Sequence, residues 1–296
     1  MTTTIAILMP GDMGHATGRV LAGFGFDVVT CLKGRGPRTR GLTEAAGIRD
    51  METLEAVTGA ASLILSILPP AAALGQAEAV AAAMTATGAK PVYVDCNAIS
   101  PATALDIADV ITDAGAPFID AGIIGLKPDG EGAGPRFYVS GADTSAMQDL
   151  DGKGFQVKNL GAEPGRASAL KMCYAGLTKG TWTLHTAVLL AAEAQGLSAE
   201  LREEFEYSQG PTLAQMQART PRLPADSERW IGEMEEIAKT FADAGLPPGF
   251  HQGAAEIFRM LAKTPFAAET RETLDETRTL EDTISEAARH LAPKSK

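Results

Sequence analysis

The feature that most limits what this chain can fold into is its opening stretch, TIAILMPGDMGHATGRVLAGFGFDVVTCL, residues 4–32. Thr4 to Met9 is a short apolar run halted by a Pro-Gly pair, the pattern of a buried parallel strand. Gly14 to Phe24 follows with helical spacing, Val20 and Leu21 on one side, and Phe26 to Leu32 reads as a second strand. Strand, glycine turn, helix, strand is therefore the first local order that the residues impose.

The alternation continues. After a helix rich in Ala and Glu, Ala61–Leu68 is a buried strand stopped by Pro69 and Pro70, and Ala71–Met84 is an Ala-rich helix. Pro91–Cys96 is a strand, Pro101–Ala114 a helix with proline in its first turn, Pro117–Ala121 a strand, and Phe137–Val139 one more. Strands alternating with helices of this length predict an α/β fold with a Rossmann-type doubly wound parallel sheet. From about Gly165 the strand signals fade, and ALKMCYAGLTKGTWTLHTAVLLAAEAQG and WIGEMEEIAKTFADAGL are helical. Two domains are expected: 1–164, a nucleotide-binding α/β domain, and 165–296, an all-helical domain for substrate and dimerisation. Within the second, ARTPRLPAD around 218–226 reads as a loop. RETLDETRTLEDTISEAARHL reads as a charged helix with Leu274, Leu280 and Ile284 recurring.

Composition removes several function classes. Lys plus Arg is 26 against 37 for Asp plus Glu, a formal charge of −11 that argues against a nucleic-acid partner. Cys31, Cys96 and Cys173 each lie in an apolar run without metal-ligand spacing, so they are read as reduced, buried thiols of a cytoplasmic protein. No metal site is expected. MTTTIAILM lacks the basic region of a signal peptide, and the longest apolar run is split by Pro69 and Pro70, so no membrane span is expected. Nucleophile elbows, zinc-spaced histidines and phosphate loops ending in Lys-Ser/Thr are not found.

The turn itself points to a nucleotide. Set on G-x-G-x-x-G, the chain reads Met9, Pro10, Gly11, Asp12, Met13, Gly14. The glycines for close backbone approach and helix packing are kept. The first is Met9, where an ordinary φ is expected. At the end of the second strand, where an NAD enzyme carries an acidic residue, the chain runs Leu32, Lys33, Gly34, Arg35, with Arg38 and Arg40 beyond. Such cations suit a 2′-phosphate, so NADP(H) is expected in preference to NAD(H). His15, in the first helical turn, is read either as touching phosphate or as simply exposed. His185 and His251 are helical and given no firm role. Asp120 is read as ending a strand and capping a turn, and Glu233, Glu235 and Glu236 near Trp230 as solvated.

With these residues in place, the chain resembles the β-hydroxyacid dehydrogenases, the superfamily of 6-phosphogluconate dehydrogenase and the imine reductases. The resemblance is carried by GDMG at 11–14, SILPP at 66–70, DCNAISP at 95–101, FIDAGIIG at 118–125, GPRFYVSGAD at 134–143 and ASALKMCYAGLTKG at 167–180. It implies a branch with a divergent helical second domain. Lys171 is then the catalytic lysine, exchanging a proton with the substrate oxygen while hydride moves at the nicotinamide. Leu68, Pro69, Pro70 and Asn97 would line the cofactor, and Asn97 the substrate as well. Three departures accompany the likeness. The family asparagine after the lysine is Ala175, leaving Tyr174 or Thr178 as replacement donors; the serine of D-x-S-T is Asn97; and the serine that grips a substrate carboxylate is Ile124. Backbone amides at Gly122, Ile123 and Gly125, or Lys127, would receive an anion, and Trp230 would face the substrate. An apolar Ile124 equally suits a ketone, an aldehyde or an imine. The expected partner is a small-molecule substrate, with a homodimer formed through the apolar helices. The rival class is a non-catalytic NADP-binding regulatory protein, which intact Lys171 opposes.

Overall fold

The structure, a computed structural model, describes residues 3–130, 132 and 134–291. It forms two compact units, the first ending at Met172 and the second beginning at Cys173. The division by packing thus falls inside a helix, beyond the 164/165 boundary where the composition changes.

The first unit is built on a sheet of eight strands. These are β1 (Thr4–Leu8), β2 (Asp27–Thr30), β3 (Arg49–Asp50), β4 (Leu63–Ser66), β5 (Val92–Asp95), β6 (Phe118–Ile124), β7 (Arg136–Ser140) and β8 (Gln156–Asn159). Their order is β3-β2-β1-β4-β5-β6-β7-β8, parallel except where β7 runs antiparallel to β6. The connecting helices are α1 (Asp12–Gly23), α2 (Pro37–Ala45), α3 (Leu54–Ala60), α4 (Ala73–Thr87), α5 (Pro101–Asp113) and the single turn α6 (Ser145–Gln148). Strand order reverses between β1 and β4, and it is beyond such a reversal, at the carboxyl ends of strands, that open α/β sheets bind ligands.

Alternation along each strand builds a core on both faces. Ala6, Leu8, Val29, Ile64 and Tyr93 pack with α4 and α5 on one side. Ile5, Ile7, Val28, Leu65 and Val94 pack with Leu21 and Phe155 on the other. Because both faces are covered, the strands read as continuous apolar runs. Helix α1 lies close on β1: a Cβ on Gly14 would meet Ile7 Cγ2 at 3.2 Å, and one on Gly18 would meet Ile7 Cδ1 at 3.2 Å and, just before β3, Ile48 Cδ1 at 2.5 Å.

The second unit is helical. It holds most of α7 (Arg166–Gln195), then α8 (Ser198–Ser208), α9 (Gly210–Arg219), α10 (Pro224–Asp243), α11 (Gly249–Leu261) and α12 (Leu280–Ala288). Trp230 sits between Trp182 and Phe258, ring centroids 5.5 and 5.3 Å away.

Several expectations need correction. Residues 218–226 are not a loop: α9 runs to Arg219, a short 3-10 turn covers Thr220–Arg222, and α10 starts at Pro224. Proline is tolerated at these first positions because the missing amide is unbonded there anyway. The tail is helical only from Leu280. Thr279 and Asp282 form a reciprocal capping box, while Thr270–Thr273 and Asp275–Thr277 side-chain turns hold the preceding residues out of helix. Of the three cysteines Cys96 alone is buried; Cys31 is half-buried and Cys173 exposed. Among the described residues no helix is long and apolar enough to cross a membrane, and no group of His, Cys, Asp or Glu is placed to hold a metal ion.

Candidate functional site

At the end of β1 the chain turns with Met9 at φ +52°, not at the ordinary φ expected. The left-handed conformation that the missing glycine would have adopted is kept, and methionine adopts it. Gly11 N donates to Met9 O at 2.6 Å across Pro10, closing a tight turn. Gly11 then stands as the N-cap of α1 and brings no side chain to the first helical amides, those of Asp12, Met13 and Gly14. Gly11 has φ −74° and ψ −156°, which any residue adopts, and a Cβ there would meet only Met9 O at 3.9 Å. The fold itself does not demand glycine at 11. A phosphate pressed against the helix N-terminus would.

Beside this turn lies a cavity of about 600 Å³ lined by Leu8, Met9, Cys31, Lys33, Arg35 and residues of α3 and α4 including Gln76 and Ala83. The loop after β2 is held in shape from within. Leu32 N donates to Asp50 (3.0 Å), while Arg40 donates from Nη2 to Leu32 O (2.7 Å) and from Nε to Arg35 O (3.1 Å). Arg38 pairs with Asp12 at 2.7 Å. Of the four cations, then, Arg40 braces the loop and Arg38 answers the acidic residue at the start of α1, while Lys33 and Arg35 face the cavity. Arg35 Nε is buried without a hydrogen-bond partner among the described residues. Such an orphaned donor costs stability unless something accepts from it, so the residues present fit a phosphorylated nucleotide.

The SILPP segment ends β4. Leu68 N donates to Asn97 Oδ1 (2.7 Å), and Asn97 Nδ2 donates to Ser66 Oγ (3.1 Å) and Asp95 Oδ2 (2.8 Å). Asn97 is buried, and both of its amide hydrogens are engaged inside the protein. Its side chain fixes the Leu68–Pro70 loop; Pro70 opens the short turn that leads into α4.

At the end of β6, Lys171 Nζ donates to Ile123 O at 2.5 Å. The lysine is half-buried. Gly122 lets α7 come close: a Cβ there would lie 2.8 Å from Ala167 O and from Lys171 Cβ. Gly122, Ile123 and Ile124 run in the ladder with Tyr138, Phe137 and Arg136. The Ile124 side chain is buried at that strand end, and Lys127 is exposed beyond it.

In the second unit Tyr174 is exposed on α7, and Thr178 Oγ1 donates to Ala175 O at 3.3 Å. Trp230 belongs to an aromatic cluster, with the Lys179 ammonium 5.5 Å from its ring centroid. Glu233, expected in solvent, is buried and pairs with Lys179 at 2.6 Å; Glu235 meets Arg259 at the surface. His15 Nδ1 lies 2.7 Å from Gly11 O.

The sequence missed the part played by Asp120. It does not end a strand; it lies within β6 and accepts from Ser140, Ala167 and Ser168. Those partners are up to 48 residues away, so no local pattern announces them. Burial raises its carboxyl above the usual range, opposed by these donors. Neighbouring Asp95, fully buried and facing the Asp120 charge, is pushed up to about 7.

Comparison with known proteins agrees with this geometry. Residues 4–151 match the family described as the NAD binding domain of 6-phosphogluconate dehydrogenase. The chain belongs to that family. Residues 192–261 match a domain of unknown function, DUF1932. An uncharacterised 28.5 kDa protein of Methanothermus fervidus is 27% identical over 75% of this chain and 84% of its own length. Among solved structures, MTH1747, a conserved protein described as similar to 3-hydroxyacid dehydrogenases, is 28% identical with a TM-score of 0.63, over 87% of this chain and 96% of that one. Mycobacterium tuberculosis 3-hydroxyisobutyrate dehydrogenase with L-serine (22%, TM-score 0.62, 96% and 99% covered) shares the fold. So does an Aspergillus terreus reductive aminase with NADPH (20%, TM-score 0.53, 94% and 98%). The group is one of NAD(P)-binding oxidoreductases, and the chain is a member of it.

Proposed function

We propose that this chain is an NADP(H)-dependent oxidoreductase acting on a small hydroxy or carbonyl substrate, with Lys171 passing the proton to or from the substrate oxygen. The observation that carries this is the half-buried Lys171 ammonium, seated on Ile123 O at a strand end of the unit that also bears the glycine turn. In this reading residues 1–164 hold the coenzyme: Gly11 to Gly14 receive the pyrophosphate, Lys33 and Arg35 grip the 2′-phosphate beside Leu32, and Leu68, Pro69 and Pro70 line the cleft. When bound, the nicotinamide supplies or accepts the hydride.

The chain's own residues do the rest. Ile123 O holds the Lys171 ammonium in place, with a proton available at Nζ for an alkoxide or a carbonyl oxygen. Residues 165–296 would add the substrate pocket, with Tyr174 or Thr178 as auxiliary donor and Trp230 as an apolar wall. The exposed apolar side chains of α7, among them Leu177 and Leu184, support a homodimer formed through that helix.

A second reading, reduction of a C=N bond, is favoured by Ile124 standing where hydroxyacid enzymes carry a serine for the carboxylate. The test is binding followed by turnover. NADPH titrated by fluorescence should bind at least tenfold tighter than NADH, and Lys33→Ala with Arg35→Ala should remove the difference. Hydroxyacids, ketones, aldehydes and cyclic imines are then screened at the nicotinamide absorbance with Lys171→Ala in parallel. Equal affinity for the two coenzymes, or full turnover without Lys171, would overturn the assignment.

A further inference from the structure

Helix α7 has an unusual beginning. The residue before it is Gly165, which has no side chain with which to cap the first amides. The cap comes instead from a strand: Asp120 Oδ2 accepts from Ala167 N (2.9 Å), Ser168 N (3.1 Å) and Ser140 Oγ (2.9 Å), and Oδ1 accepts from Ser168 Oγ (2.6 Å). Asp120 is wholly buried. An anion at a helix N-terminus is stabilised by the unpaired amides and the helix dipole.

The same strand meets the same helix again. Ile123 is three residues after Asp120, Lys171 three residues after Ser168, and the Lys171 ammonium donates to Ile123 O. Gly122, between the two contacts, has no side chain, which lets the helix close onto the strand. Two contacts of matched spacing therefore seat α7 on β6, one a carboxylate on the helix end and the other the lysine itself.

Asp95 is the register partner of Asp120 on β5. It accepts from Asn97 N and Nδ2, and Asn97 accepts from Leu68 N. Two adjacent buried carboxylates do not both ionise readily. Asp120 accepts four hydrogen bonds, which favour its charged form against burial, while burial first and the Asp120 charge last push Asp95 up to about 7.

We propose that Asp120 is the positioning residue for Lys171: a buried anion that caps the helix bearing the lysine and fixes the ammonium at the end of β6. The proposal rests on Lys171 as the proton carrier, but its test does not require turnover. The protein is treated with trace acetic anhydride over a pH series, and acetylation of each lysine is read by peptide mass spectrometry, with exposed Lys127 as internal reference. Asp120→Asn removes the charge while its amide oxygen can still accept from Ala167 N and Ser168 N, its NH2 then facing the Ser168 hydroxyl. It should raise the acetylation rate of Lys171 relative to Lys127 about tenfold, as expected for loss of a charge-assisted seat. Ser168→Ala removes only the hydroxyl donor and should raise it about threefold. This milder variant decides the matter where Asp120→Asn does not fold. An unchanged Lys171 rate in Ser168→Ala, or a common rise of all lysines in either variant, would overturn the proposal. Full turnover by Lys171→Ala, with the acetylation shifts still present, would remove the catalytic reading and leave the positioning role standing.

Discussion

Met9 is the residue at which this dinucleotide turn departs furthest from its usual chemistry. A side chain at φ +52° costs on the order of 1 kcal/mol, and it is retained where Met9 also lines the cavity beside the turn. A β-branched residue tolerates that conformation worst. Met9→Val should therefore be less stable than Met9→Gly by roughly 1–2 kcal/mol, although valine keeps more apolar surface. Urea midpoints of the two variants check this, and the reverse order would mean that the turn relaxes to negative φ. At this scale motif order located positions: Gly11 and Gly14 stand at the turn into α1, and Lys171 lies on the long helix α7. It misled at Met9, because an absent glycine suggests an ordinary angle when the turn in fact holds its shape at φ +52°. Local pattern misread Asp120 as a strand end and Glu233 as solvated, because their partners are set by tertiary packing rather than by neighbours in the chain.

Among the elements, what could be read was what periodicity encodes. The six strands with apolar faces were visible, as was the passage from alternation to helix. The two short polar edge strands, β3 and β8, were not, since Arg49–Asp50 and Gln156–Asn159 carry no apolar pattern. Nor was the antiparallel turn of β7, because strand direction leaves no mark on side-chain alternation. The seat of α7 on β6 is the element-scale feature most open to test. Gly122→Ala would place a Cβ 2.8 Å from Ala167 O and from Lys171 Cβ, neither of which moves without the helix. A cost of about 1–3 kcal/mol is expected from such overpacking, seen as a lowered thermal midpoint. The same substitution should reduce turnover with NADPH affinity unchanged, since the glycine turn and its cavity involve other strands. Coincident loss of coenzyme binding would place the damage in the sheet as a whole.

Across the whole molecule the two units should respond oppositely to pH. Burial lowers His185 and His251, both in the second unit, so the folded form resists protons that the unfolded chain takes up near 6.5. Their contribution is lost as pH falls below that value. Asp95, in the first unit, is raised to about 7, so its contribution is present below the unfolded carboxylate range and lost as pH rises through 7. Trp182 and Trp230, the chain's two tryptophans, both lie in the second unit and report on it alone. Urea unfolding followed by tryptophan emission should lose stability between pH 7 and 5 (roughly the window of histidine protonation), and His251→Gln should flatten that slope. The association of whole chains gives the final test. Leu170, Tyr174, Leu177, Leu184 and Val188 are exposed on α7 at steps of four, three, seven and four residues, a stripe along one face of the helix. Leu170 and Val188, and likewise Tyr174 and Leu184, lie at equal distances from residue 179, so the stripe meets itself when two copies of the helix run antiparallel about a twofold axis. Because Leu177 and Leu184 are 70% and 58% exposed in the single chain, Leu177→Glu with Leu184→Glu should leave helix content intact. Sedimentation at micromolar concentration should then find the wild type as a dimer and the double variant as a monomer; a monomeric wild type would leave the stripe without its partner.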